Sequence, residues 1–182
     1  MNESELAGLL ESLKRMGSDD LSVEVKESTT TLSRDVWETV SAFANTAGGI
    51  IVLGVSERAG FVPVANFETE KVLNQFVAGM GDAGGRGKLA NPPKYTIERV
   101  ELRGTVVLVI TIEELDPSSK PCYVIERGAQ GGSYKRIDDK DVPLSSTEVL
   151  ALSSYERTSL AIAMRCPARA WAISTSRWST AR

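Results

Sequence analysis

Leu6, Leu9, Leu10, Leu13 and Met16 recur at helical spacing, with Asn2 placed to cap the first turn and Gly17 to stop the helix. A polar bend, Ser18-Asp19-Asp20, leads into Val23-Glu24-Val25-Lys26. Alternation puts the two valines on one face of a strand and Glu24 and Lys26 on the other. Val36, Val40 and Phe43 then sit at i, i+4 and i+7 of a second helix, capped by Ser33 and ended by Asn45-Thr46-Ala47-Gly48-Gly49. Its opposite face carries Arg34, Glu38, Ser41 and Asn45.

Ile50-Ile51-Val52-Leu53 is apolar without alternation, the pattern of a strand covered on both sides. Glu57-Arg58-Ala59-Gly60 is a turn, and Pro63 restricts any strand at Phe61-Val62 to an edge. Val72, Leu73, Phe76, Val77 and Met80 mark a third helix, followed by a glycine-rich connector from Gly81 to Gly87. Two strands, Tyr95–Leu102 and Thr105–Ile112, meet at the hairpin turn Arg103-Gly104. Shorter strands near Tyr123–Glu126 and Ser133–Ile137 flank a Gly128–Gly132 turn, and Ser145 or Ser146 caps a last helix through Leu152. The order of helix, strand, helix, strand, helix and then several strands predicts an α+β fold, a mixed sheet packed against helices.

The chain has 182 residues, 42% of them apolar and 25% charged, which suits one compact soluble domain with an appendage. It has no histidine, so Ser-His-Asp and Cys-His catalysis and His-ligated zinc are excluded. Cys122 and Cys166 stand far apart with no CxxC, which argues against a zinc knuckle or a disulfide framework and for a reducing cytoplasm. No basic, then apolar, N-terminal segment marks export, and the longest apolar runs are too short to span a bilayer. Charge changes the picture further. Residues 1–156 hold 16 basic and 24 acidic residues, a net of −8, whereas 157–182 carry five arginines and no acid. Such a body does not coat nucleic acid indiscriminately, though a local basic patch remains compatible with it. The tail, rich in Ala, Arg, Ser and Thr and holding Trp171 and Trp178, reads either as a disordered basic arm or as the product of a truncated or frame-shifted gene end.

Three stretches offer chemistry. Gly81–Lys88 resembles a phosphate loop in composition only. Asp82 stands where a Walker loop needs its first glycine, Leu89 replaces the Mg²⁺-holding Ser/Thr, and a helix precedes it instead of a strand. It reads as a connector, and an ATP-binding site finds no support there. Asp19, Asp20, Glu24 and Glu57 form a carboxylate group; if strands 23–26 and 50–55 are neighbours, Glu24 and Glu57 converge near one sheet edge. Clustered carboxylates suit a Mg²⁺ or Mn²⁺ site for phosphodiester cleavage, or simply a solvated acidic loop. Lys26, Arg34, Asn45, Tyr134, Lys135 and Arg136 form the third group, able to meet phosphates and to stack a base, or to serve as ordinary surface.

The runs Val23-Glu24-Val25-Lys26-Glu27-Ser28 and Val40-Ser41-Ala42-Phe43-Ala44-Asn45-Thr46-Ala47-Gly48-Gly49-Ile50-Ile51-Val52-Leu53-Gly54-Val55 resemble the signature of the Schlafen AlbA-type domain. Lys120-Pro121-Cys122-Tyr123 and Gly132-Ser133-Tyr134-Lys135-Arg136-Ile137 resemble its closing strands. The likeness covers roughly residues 5–155 and leaves the tail outside. It implies an α+β fold, nucleic-acid binding and, in bacteria, placement at the N-terminus of transcriptional regulators that carry a further C-terminal module. Some members similar in this domain are metal-dependent endoribonucleases acting on structured RNA. By motif alignment their three carboxylates fall on Asp19, Glu24 and Glu57, with two of the three changed in carboxylate type and Asp20 equally near the first position.

Three functional readings follow. The leading one is a nucleic-acid-binding domain of a regulator, taking DNA or RNA through Lys26, Arg34, Asn45, Tyr134, Lys135 and Arg136. The second is a Mg²⁺- or Mn²⁺-dependent ribonuclease using Asp19, Glu24 and Glu57 as catalytic and metal-binding groups. The third is a protein-interaction module, such as a homodimer, whose acidic surface avoids nucleic acid.

Overall fold

The computed structural model describes residues 1–16 and 22–154. The bend with Asp19 and Asp20, the stop at Gly17 and the basic tail lie outside the described residues.

Helix α1 (Glu3–Met16) opens with a capping box: the Glu5 amide donates to Asn2 Oδ1, and the Asn2 amide to Glu5 Oε2, each at 2.9 Å. The chain continues through β1 (Val23–Lys26), α2 (Val36–Asn45), β2 (Gly49–Leu53), β3 (Val55–Ser56), β4 (Val62–Pro63) and α3 (Thr69–Met80). Then come β5 (Leu89–Ala90), β6 (Tyr95–Leu102), β7 (Thr105–Ile112), β8 (Tyr123–Val124), the short helix α4 (Gly128–Gly132), β9 (Tyr134–Ile137) and β10 (Lys140–Pro143). A helical stretch over 146–154 follows. The fold is α+β.

The main sheet has the order β1-β2-β7-β6, with β1 parallel to β2 and the other pairs antiparallel. Alternation along each strand feeds two cores. Val23, Val25, Val52, Val107 and Val109 pack with Leu6, Leu10 and Leu13 of α1. Ile51, Leu53, Leu108, Ile110 and Ile112 pack with Val36, Val40, Phe43 and Phe76 of α2 and α3. Helices therefore cover both faces, and β2 is covered on both sides, as its unbroken apolar run predicts.

Between α2 and β2 the backbone turns at Gly48, φ +72°, where a Cβ would lie 2.7 Å from the Ile112 carbonyl oxygen. No larger residue fits that corner without moving β7. Two local expectations change. Asp35, not Ser33, is the residue before α2, and the Ser33 hydroxyl instead donates to the Asp35 carboxylate. The expected Gly128–Gly132 turn is a single helical turn, α4.

Candidate functional site

Ser41 and Asn45, one turn apart on α2, stitch the closing strands to the helix. Asn45 Nδ2 donates to the Cys122 and Tyr134 carbonyls, both at 2.9 Å, while its Oδ1 accepts the Cys122 amide at 2.8 Å. Ser41 Oγ donates to the Cys122 carbonyl and accepts the Tyr134 amide at 3.0 Å. Lys120, also buried, donates from Nζ to the Asn45 carbonyl and to Glu114. Side chains thus supply the partners that a neighbouring strand would give these backbone groups. Asn45 and Tyr134 lie inside the protein, so neither presents its polar face to a polyanion, contrary to the sequence-based expectation. The Tyr134 hydroxyl is held by Arg127, whose guanidinium also lies 5.8 Å from the ring centroid.

The alternating polar face of β1 is covered too. Lys26 Nζ donates to Glu24 Oε1 and Asp35 Oδ2, each at 2.8 Å. Arg136 reaches Glu24 Oε2 and Asp141 Oδ1, each at 2.9 Å, and lies 5.3 Å from the Phe43 ring centroid. Thr39 Oγ1 closes the chain by donating to Asp141 Oδ2 at 2.7 Å. Burial opposes the charge on Lys26 and on Arg136, yet the facing carboxylates raise both pKa values. Burial likewise opposes ionisation of Asp35, but hydrogen bonds from Lys26 and Ser33 hold its carboxyl below the ordinary range. Among the described residues this network sets three carboxylates against two cations. The Arg136 side chain is only 2% exposed and ties β1 to the β9–β10 hairpin, while Lys26 ties β1 to Asp35 at the start of α2, so neither presents a free cation.

Glu57 is exposed and lines a cleft of about 320 Å³ with Lys26, Glu27, Ser28, Ser33, Asp35 and Arg58. Glu24 is not among its walls, and each of its carboxylate oxygens faces a cation. A divalent ion seated on Glu24 therefore has to displace Lys26 or Arg136, which is a poor fit to a metal ligand. Among the described residues no three acidic or cysteine side chains stand close enough to hold a metal ion. Asp19, the third expected carboxylate, lies outside them.

Arg34 behaves differently. It is exposed and helps line two adjoining clefts. The first, about 290 Å³, has walls from Arg34, Trp37, Glu38, Lys88, Val124, Glu126 and Arg127. The second, about 480 Å³, is lined by Leu32, Arg34, Trp37, Gln75, Ala78, Gly79, Arg86 and Lys88. Lys88 pairs with Glu126 at 3.0 Å and Arg127 with Glu38 at 2.7 Å, all on the surface. Arg34 and Arg86 make no ion pair among the described residues. The Lys88 ammonium, and more weakly Arg34 and Arg127, hold the Glu126 carboxyl below its usual range, a sign that these cations share one field. Lys135 lies apart, paired with Glu148 at 2.5 Å.

Of the six expected nucleic-acid contacts, then, Arg34 alone sits on this cationic face. Arg86, Lys88, Arg127 and Trp37 are members that sequence reasoning did not select. Two of them come from the glycine-rich connector, which the structure fixes against α3 by the Lys88 amide donating to the Gly79 carbonyl at 2.6 Å. The one available signal was the pair of cations inside that connector.

The Schlafen, AlbA_2 family matches residues 19–145 of the chain. No curated protein matches it. Among solved structures, the N-terminal domain of an ATP-dependent DNA helicase RecG-related protein from Nitrosomonas europaea is similar, with 27% identity and a TM-score of 0.55. That likeness covers 74% of this chain and 89% of the other. The DIP2311 protein from Corynebacterium diphtheriae is a weaker likeness, at 15% identity and a TM-score of 0.47, covering 85% of this chain and 28% of the other. Among the described residues no helix is long and apolar enough to cross a membrane.

Proposed function

The chain belongs to the Schlafen AlbA_2 family, and from that premise we propose that it is a nucleic-acid-binding domain whose contact face is the pair of clefts lined by Arg34, Arg86, Lys88 and Arg127. The observation that carries this reading is the convergence of four cations, two of them without an ion-pair partner among the described residues, on a body whose net charge over 1–156 is −8. An acidic surface repels a polyanion in general, so binding is confined to the place where the local field reverses. The likeness to the N-terminal domain of a DNA helicase RecG-related protein supports the same class of ligand. That binding serves transcriptional regulation is the finer part of the proposal, and it rests on the family resemblance alone.

Fluorescence anisotropy with labelled duplex and single-stranded DNA and RNA at low salt, about 50 mM, tests the reading. We expect at least one of the four to bind and Arg34→Ala/Arg86→Ala to weaken it. Absence of binding to all four, with the chain folded, overturns it. A stable dimer indifferent to every oligonucleotide would favour an interaction module instead.

A further inference from the structure

The larger cleft is built differently from a groove that only tracks a phosphate backbone. Its floor is apolar: Leu32, the Trp37 indole, Ala78 and Gly79. Trp37 is 9% exposed and cannot swing away, because it stacks on Phe76 with centroids 5.6 Å apart and planes at 22°. Gly79 lets the indole lie against α3, since a Cβ there would sit 2.1 Å from Trp37 Cη2. Of the cations of the lining, Arg34 and Arg86 have no ion pair among the described residues, and Lys88 is held by Glu126 at 3.0 Å from outside this wall. At about 480 Å³ the space falls within the range of small-molecule sites, roughly 300–1,000 Å³. An apolar floor beside three cations is complementary to a ligand with one flat apolar part and one anionic part.

Resting on the nucleic-acid reading above, we propose that this cleft receives a single unpaired nucleotide, its base against the Trp37–Gly79 floor and its phosphate among Arg34, Arg86 and Lys88. A base inside a duplex presents only its edges to a protein, whereas an unstacked base offers a flat apolar face. The polar side chain in the wall, Gln75, is already committed: its Oε1 accepts the Leu32 amide at 2.8 Å and its Nε2 donates to the Thr30 carbonyl at 3.3 Å. Held at both ends of its amide, Gln75 is not free to turn toward a base edge, and the cleft accepts any base. The shared chemistry, a base joined to a phosphate, comes either from a strand with unpaired nucleotides or from a free mononucleotide.

Two measurements on the full chain separate these sources. The first is a ¹⁵N–¹H NMR titration with AMP, with UMP and with inorganic phosphate, following the Trp37 indole N–H. We expect both nucleotides to move that signal, phosphate alone to move it far less, and Arg34→Ala/Arg86→Ala or Ala78→Glu to weaken nucleotide binding at least tenfold. All three replaced residues are exposed, which leaves the core untouched. The second compares labelled single strands with blunt duplexes of equal length; we expect the single strand to bind at least tenfold tighter, and the double variant to erase that preference. A Trp37 signal unmoved by nucleotide, or moved equally by phosphate, overturns the proposal. If duplex and single strand then bind alike, the nucleic-acid reading stands without it. If nucleotides move Trp37 but no oligonucleotide binds, the cleft is a free-nucleotide site and the wider reading fails.

Discussion

Asn45 uses both ends of its amide at once, donating to two carbonyls and accepting one amide. Asn45→Asp keeps the shape and removes the donors, so a carboxylate faces the Cys122 and Tyr134 carbonyls. We expect a loss of roughly 3 kcal/mol, seen as a melting temperature lower by about 6–12 °C. An unchanged melting temperature would show that the stitching contributes nothing. Sequence reasoning assigned Asn45 to phosphate because it ends a helix on a polar face. Polarity at a position announces that a hydrogen-bond partner is required; it does not say whether that partner is a ligand, water or the chain's own backbone. Arg136 teaches the same lesson, as its guanidinium meets Asp141 across its own hairpin and Glu24, more than a hundred residues earlier. Arg34, placed just before α2, is the one cation of the group without an ion pair among the described residues.

At the scale of elements, periodicity located most of the scaffold. The bounds of β1, β6 and β7 coincide with those expected, because alternation and the Arg103-Gly104 turn are local signals. What local signals did not carry was the cover on the polar face of β1, which is provided by the β9–β10 hairpin more than a hundred residues later. That hairpin is fixed in turn to the start of the 146–154 helical stretch. Lys135 donates to Glu148, and Glu148 accepts the amide and hydroxyl of Ser145 in a capping box. Those bonds, the one from Lys135 first, bring the Glu148 carboxyl down to about 2 from its ordinary 4.5. A depressed carboxyl stabilises the fold above its unfolded-state pKa, and the contribution fades as pH falls from 4.5 through about 2. A carboxyl-detected NMR titration is expected to show that low midpoint, and Lys135→Ala to raise it while Ser145 keeps it below 4.5. A midpoint at the ordinary value in the parent would remove the cap from the account.

For the whole molecule, the decisive quantity is where charge gathers, not its sum. If Arg34, Arg86 and Lys88 meet about three phosphates of a single strand, the logarithm of affinity falls against that of salt with a slope of about −2. Removing Arg34 and Arg86 reduces the slope by about 1.4, a change that anisotropy over a salt series resolves. A slope unchanged by the double variant would put the contact elsewhere on the surface. The sequence by itself determined the α+β class, the helix α2 and the strands β1 and β2 of the signature runs, the apolar face of each, and the absence of any histidine chemistry. These follow from short-range rules: side-chain period, turn residues and composition. Tertiary structure alone decided which polar residues are inside and which cations share a cleft. Burial and charge convergence are set by contacts between segments far apart in the chain, and no local pattern encodes them. Arg86 and Lys88 leave a connector after α3, Arg34 precedes α2 and Arg127 precedes α4; the packing of α3 against the Trp37 indole and the bonds that hold 122–134 to α2 bring them to one face.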